Sequence, residues 1–281
     1  MTVPDNREKR LPVLLTVKSV RDLGPRYRRI TFTSPALAHY PACSNGAHIK
    51  IMLAQEGQSE PVLPTMTATG PKWESPEDKP LLRTFSVREL RRETGEMDID
   101  FALHGDLGPA SRFALNACPG DQLGISPPGG PHPMLKPASQ YYLAGDLTAL
   151  PAISAMLEDM PADSRGYVAI QVGDETDIQD LRAPAGVQVQ WFIGQPDQVQ
   201  PLIDQFCQQL LSAKTTAESN AEQLADSYFW LGGEEQIVVG LRRFIRRELD
   251  VERTQVYAIP YWRFGIDEDS YHTSRHQVVD N

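Results

Sequence analysis

Pro127-Pro128-Gly129-Gly130-Pro131-His132-Pro133 interrupts the chain. Proline lacks a backbone donor, fixes φ and forces the residue before it into extended geometry, so neither a helix nor a strand runs through this stretch. A domain ends here. With 281 residues the chain is about twice the length of an ordinary domain. We place one domain over residues 1–131 and a second over 132–281.

Upstream of the break the hydrophobic period is mostly two. Met97-Asp98-Ile99-Asp100-Phe101-Ala102-Leu103 puts Met97, Ile99, Phe101 and Leu103 on one face and both aspartates on the other, the pattern of a strand with one wet side. Residues 48–53 repeat it. With 13–20, 27–32, 84–88 and 122–125 they make six short strands, separated by Gly, Pro and Asn, a spacing that predicts a closed antiparallel barrel. A short helix is expected over 110–117, stopped by Pro119-Gly120, and 54–79 reads as a long surface loop. Downstream, apolar runs at 141–144, 167–172, 187–192, 228–231 and 256–261 alternate with helical patterns at 149–160, 198–211 and 236–249. That alternation predicts a mainly parallel, Rossmann-like α/β sheet covered on both faces.

Composition narrows the function classes. Apolar residues at 41% and charged residues at 23% suit a globular chain with a real core. Asp plus Glu exceed Lys plus Arg by 37 to 27, a net charge of −10, so nucleic acid is not the expected partner. No apolar run reaches the roughly 20 residues of a membrane-spanning helix. Membrane insertion is not expected, and 11–17 is too short for a signal core, so a cytoplasmic location is expected. Cys43, Cys118 and Cys207 are three widely spaced residues, read as buried thiols rather than as a disulfide or metal framework. The six histidines show no metal-ligand spacing, so no metal site is expected.

Two segments carry candidate chemistry. Arg83-Thr84-Phe85-Ser86 opens a strand, with Arg83 and Phe85 expected on one side and Thr84 and Ser86 on the other. His104-Gly105-Asp106-Leu107-Gly108-Pro109-Ala110-Ser111-Arg112 is a glycine-containing turn that runs into the short helix, an arrangement that offers backbone N–H groups to phosphate. An arginine, a flat ring beside hydroxyls, and a helix N-terminus suit FAD; a polar surface strand and an ordinary glycine turn are the alternative.

These segments, with Ala144-Gly145-Asp146-Leu147-Thr148-Ala149-Leu150-Pro151, Gly233-Glu234 and Tyr261-Trp262-Arg263-Phe264-Gly265, resemble the siderophore-interacting protein family of ferric-siderophore reductases, a branch of the ferredoxin-reductase-like flavoproteins. The resemblance implies a flavin-binding barrel followed by an NAD(P)H-binding-like domain. It implies that Arg83 neutralises the FAD pyrophosphate, that Phe85 lies against the flavin and that Ser86 or Thr84 bonds near its N5. It also implies that His104, Asp106, Gly108, Pro109, Ala110 and Ser111 form the phosphate turn, and that Asp146, Thr148 and Ala149 close the pocket from the second domain, while Trp262, at the mouth of the last strand, either covers the flavin or packs under the tail. Phe85 stands where the family has tyrosine, and Phe113 where tryptophan is frequent.

The implied activity is transfer of electrons from NADH, NADPH or reduced ferredoxin through FAD to the iron of a ferric siderophore, with no side chain assigned as catalytic. An anionic siderophore needs local cations, and Lys136 and Arg263 are the candidates, with Arg88, Arg112, His272, Arg275 and His276 as further ones. Arg242, Arg243, Arg246 and Arg247 read as a solvated helix face. Asp174 and Glu175 either accept adenosine ribose hydroxyls and repel a 2′-phosphate or form an acidic loop exposed to water. Two other functions stay open at this point: a general NAD(P)H-dependent flavin or quinone reductase, and a siderophore-binding protein without catalysis.

Overall fold

The computed structural model describes residues 11–105, 108–215, 224, 226–266 and 270–271. The chain forms two compact units, Met1–Met134 and Leu135–Asn281.

The first unit is a seven-stranded antiparallel sheet built from β1 (Val13–Gly24), β2 (Tyr27–Thr33), β3 (His48–Leu53), β6 (Leu81–Ser86), β7 (Glu89–Arg91), β8 (Glu96–Ala102) and β9 (Gln122–Ile125), with a small hairpin of β4 (Thr65–Thr67) and β5 (Gly70–Lys72) in the 54–79 segment. The order β6-β3-β9-β1-β2-β8-β7 curls the sheet so that its outermost strands are consecutive in sequence. The chain crosses from one edge to the other at two residues: Val87 N donates to Ala47 O at 2.8 Å and Arg88 N to Asp98 O at 2.9 Å. The strand missing from the six expected is β7, too short at three residues to show a period. β1 also runs past the expected residue 20, because Val20–Gly24 pair with β2 as a hairpin tip that has no buried face.

Leu15, Ile30, Phe32, Ile49, Ile51, Met97, Ile99, Phe101 and Ile125 fill the barrel. Asp98 and Asp100, expected on a wet face, are buried as well. Each is met by a fork of two guanidinium donors. Arg29 bonds Asp100 at 2.6 and 2.8 Å, and Arg91 bonds Asp98 at 2.8 and 3.0 Å. Tyr27 and Thr31 add hydroxyl donors to Asp100 and Asp98. Alternation was right about sides; pairing let the polar side be buried.

The second unit is a parallel sheet of β10 (Gln140–Asp146), β11 (Arg165–Val172), β12 (Gly186–Ile193), β13 (Ser227–Glu234) and β14 (Val256–Trp262), ordered β12-β11-β10-β13-β14. Helices α2 (Leu150–Asp159), α3 (Gln200–Thr215) and α4 (Glu235–Arg247) accompany it. Tyr142, Phe206, Phe229, Leu231 and Leu241 pack together on one face. The chain winds outward from β10 to β12 and then returns to the other side of β10 as β13. The β10–β13 junction is therefore the topological switch point, where sheets of this kind bind ligands.

Candidate functional site

In the barrel, Arg83-Thr84-Phe85-Ser86 closes β6 rather than opening it. The β3 register sets Ile51 opposite Arg83 and Ile49 opposite Phe85, both isoleucines being fully buried. Directly opposed residues share a face, so Arg83 and Phe85 lie on the barrel side, and Thr84 and Ser86 lie with Lys50 and His48 on the other. Lys50 Nζ donates to Thr84 Oγ1 at 2.6 Å, which places a cation beside the motif. The half-buried Arg83 turns one guanidinium donor onto Leu82 O at 2.8 Å.

A string of rings ties this strand to the short helix α1 (Pro109–Asn116). Phe85 packs on Phe101 of β8 with centroids 4.6 Å apart, and Phe101 lies 6.3 Å from Phe113 of α1. Such pairs contribute about 0.5–1.5 kcal/mol each beyond their buried area. Phe85 and Phe113 are the two positions that depart from the family pattern. Here both belong to one apolar seam, where a hydroxyl or an indole N–H would need a partner.

The start of α1 carries no side chain at its cap position. Gly108 is its N-cap and offers no side-chain acceptor, and Pro109 has no N–H. The first-turn N–H groups of Ala110 and Ser111 thus meet no side chain from the cap residue itself. A Cβ on Gly108 would sit 3.2 Å from the His104 ring, so glycine lets that exposed imidazole lie close over the turn. The Ser111 hydroxyl, expected to donate to phosphate, is buried and donates instead to Gly105 O at 2.6 Å while accepting from His104 N at 3.1 Å. It holds the loop against the helix. Asp106 lies outside the described residues. Arg83 and Phe85 thus share one face of β6, Lys50 and Thr84 share the other, and α1 starts at a glycine without a capping side chain.

In the second unit the structure gathers Asp146, Thr148 and Trp262. The buried Asp146 carboxylate accepts from Thr148 N at 2.8 Å and Thr148 Oγ1 at 2.5 Å on one oxygen, and from Glu234 N at 2.7 Å and Trp262 Nε1 at 2.8 Å on the other. Burial pushes its pKa up, and bonds from Thr148, Trp262 and Glu234 offset part of that. Glu234 is also buried; it accepts from Gln236 N at 2.5 Å as the N-cap of α4, and from Phe264 N at 3.2 Å. Its pKa too is raised by burial, with a further push from the charge of Asp146. Ala149, buried at the start of α2, completes the turn.

The expected basic patch is not assembled. Lys136 Nζ donates to Thr254 O at 2.7 Å, just before β14, whereas Arg263 follows the far end of that strand, 3.5 Å from Glu235. A strand of this length separates them by roughly 20 Å. Arg88 is buried and Arg112 exposed, and His272, Arg275 and His276 lie outside the described residues. Arg243, Arg246 and Arg247 are exposed and Arg242 is half-buried. The exposed Asp174 caps its own turn, accepting from Thr176 N at 3.0 Å and Thr176 Oγ1 at 2.7 Å. Of the three thiols expected to be buried, Cys118 is exposed and Cys43 and Cys207 are half-buried. Among the described residues, no three His, Cys, Asp or Glu side chains gather as a metal site.

Sequence reasoning missed Lys50 and the capping role of Glu234. Lys50 sits in a strand whose pattern shows only that it faces outward; its neighbour Thr84 is 34 residues away and is set by register. Glu234 did carry a signal, an acidic residue directly before a helical pattern.

Residues 16–132 match the family model described as siderophore-interacting FAD-binding domain, and residues 138–265 match that described as siderophore-interacting protein. The chain is 37% identical over 273 residues to a ferric vibriobactin reductase of Vibrio cholerae, covering 97% of each chain. It is 28% identical to an NADPH-dependent ferric-chelate reductase of Escherichia coli, covering 88% of this chain and 91% of that one. The crystal structure of the siderophore-interacting protein SipS from Aeromonas hydrophila is similar at a TM-score of 0.83 and 53% identity, covering 97% of this chain and 99% of that one.

Proposed function

This chain belongs to the siderophore-interacting protein family, and from that premise we propose that it is an FAD-dependent ferric-siderophore reductase. Its electrons come from NAD(P)H or reduced ferredoxin, and its product is Fe(II). The observation that carries the proposal is the joining of the Arg83–Ser86 strand to α1, the helix that starts at the Gly108 cap, through Phe85, Phe101 and Phe113. The relatives named for reduction of ferric vibriobactin and ferric chelates support the choice of acceptor.

FAD, when bound, supplies the conversion between a two-electron donor and one-electron acceptors. Arg83 and the Ala110 and Ser111 amides hold the diphosphate, and Phe85 presents an apolar ring to the flavin. Thr84 and Ser86 supply hydroxyls at its edge. Lys50, bonded to Thr84 on the face of β6 opposite Phe85, would add positive charge beside the motif and so favour a reduced, more anionic cofactor. The acceptor iron is a hard Fe(III) held by siderophore oxygens. Reduction weakens that preference, so release asks for no protein ligand. A cytoplasmic location is part of the proposal, supported by three free cysteines that a reducing compartment keeps as thiols. Among the described residues no helix is long and apolar enough to cross a membrane.

The test is spectroscopic. Purified protein should carry flavin absorbance that bleaches with dithionite or NADPH and returns on adding a ferric tris-catecholate, with Fe(II) trapped by a chromogenic chelator. Reoxidation by quinones alone would turn the reading to a general quinone reductase. Failure to take up FAD, with siderophore still bound, would leave a binding protein.

A further inference from the structure

The switch point of the parallel sheet is already filled by carboxylates of the chain itself. In a sheet of this kind a dinucleotide sets its diphosphate beyond the carboxyl ends of the strands, against a helix N-terminus and close to glycines that keep the approach open. Here Asp146 ends β10 and leans across β13. A Cβ on Gly233, where φ is +108°, would lie 2.8 Å from its carboxyl carbon. The Asp146 oxygens draw in Thr148 N, Glu234 N and Trp262 Nε1, so these donors are turned inward.

The two helices that border this junction give a diphosphate little to hold. The first turn of α2 is buried at Leu150, Pro151 and Ala152, and Pro151 has no N–H. The start of α4 is capped by the Glu234 carboxylate, with Glu235 following in its first turn. Gly145 provides no opening either. A Cβ there would meet Ala149 and Gly232 O at 2.6 Å, so this glycine serves packing between strands and helix. Asp146 and Glu234 lie side by side, Glu235 follows in the first turn of α4, and the half-exposed Arg263 lies 3.5 Å from Glu235.

We infer that Asp146 is a specificity-determining residue that bars the diphosphate of a dinucleotide from the switch point, so that a nicotinamide donor is recognised without it. The inference rests on the reading that a nicotinamide can donate to this protein, and it concerns recognition only.

The holoprotein decides it in two measurements. Calorimetric titration with ADP-ribose, which carries the diphosphate and no reducible ring, should give a Kd weaker than about 1 mM. NADH and reduced nicotinamide mononucleotide should bleach the flavin with second-order rate constants within about tenfold of each other. Micromolar binding of ADP-ribose, or a preference for NADH of about a hundredfold or more, would overturn the inference. Asp146→Ser, checked by its melting curve, should bind ADP-ribose at least about tenfold more tightly than the parent. A folded variant with no gain would remove Asp146 from the role, and if that variant does not fold, the two measurements on the parent protein stand alone. Dithionite reduction followed by reoxidation with a ferric tris-catecholate reads the reductase proposal independently of any nicotinamide.

Discussion

Asp98 and Asp100 in the barrel and Asp146 and Glu234 in the sheet are all buried carboxylates, yet they are satisfied in opposite ways. The barrel pair meets guanidinium groups, Arg91 and Arg29, and its charge is cancelled where it is buried. The sheet pair meets only neutral donors: amides, a hydroxyl and an indole. The first arrangement fastens strands together. The second also fastens strands but leaves negative charge at the edge where a sheet of this kind meets its ligands. Burial alone does not tell a structural carboxylate from one that shapes recognition; the charge of its partners does.

Removing one cation from the barrel should produce the largest effect. Arg29→Met strands the Asp100 charge against Tyr27, and the expected loss is about 3–5 kcal/mol in urea unfolding. A loss near zero would mean that the fork does not hold the barrel. Gly233→Ala should cost less, about 1–3 kcal/mol, because a non-glycine residue at φ +108° is strained and its Cβ presses on Asp146. A thermal melt measures it, and an unchanged midpoint would mean that Asp146 has room to move.

The smallest effect is the sharpest comparison, because Asp98 and the sheet pair respond to pH with opposite sign. Burial alone would raise Asp98, but bonds from Arg91 and Thr31 and the nearby guanidinium charges outweigh it and hold the group below its ordinary 3.8. Its stabilisation is complete above 3.8 and is lost as pH falls through the lowered folded value. Asp146 and Glu234 are raised, first by burial, so their contribution is complete below the ordinary 3.8 and 4.5 and is lost as pH rises through the raised values. Acidification from neutrality should therefore first strengthen the sheet and only below about pH 4 weaken the barrel. Trp191, Trp230 and Trp262 report on the sheet in a Trp73→Phe variant. A sheet that weakens steadily from pH 7 downward would contradict the assignment.

What the sequence made legible follows the same division. β3 and β9 start and end at the expected residues, although alternation breaks at Met52-Leu53 and at Gly124. Asp98 and Asp100 were placed on the correct side, but their burial depends on arginines supplied through pairing and register, which local alternation does not reveal. The motif from Arg83 to Ser86 was visible as a string of residue types. Its connection to α1 was not, because Phe85 and Phe113 meet only through Phe101 of a third element. Asp146 and Trp262 were each singled out, yet their bond spans 116 residues and became visible only when β10 and β14 were set on either side of β13. Lys136 and Arg263 were each read as candidate cations from charge alone, which does not show which end of β14 each residue occupies.

The account turns on whether Arg83 and the start of α1 hold FAD. The direct measurement is the dissociation constant of FAD for the parent protein and for Arg83→Ala, read by recovery of flavin absorbance after the cofactor is stripped and returned. A charge-assisted bond is worth about 1.5–3 kcal/mol, so the variant should bind FAD roughly 10- to 150-fold more weakly with its melting curve otherwise preserved. Equal affinity in the two proteins would contradict the account.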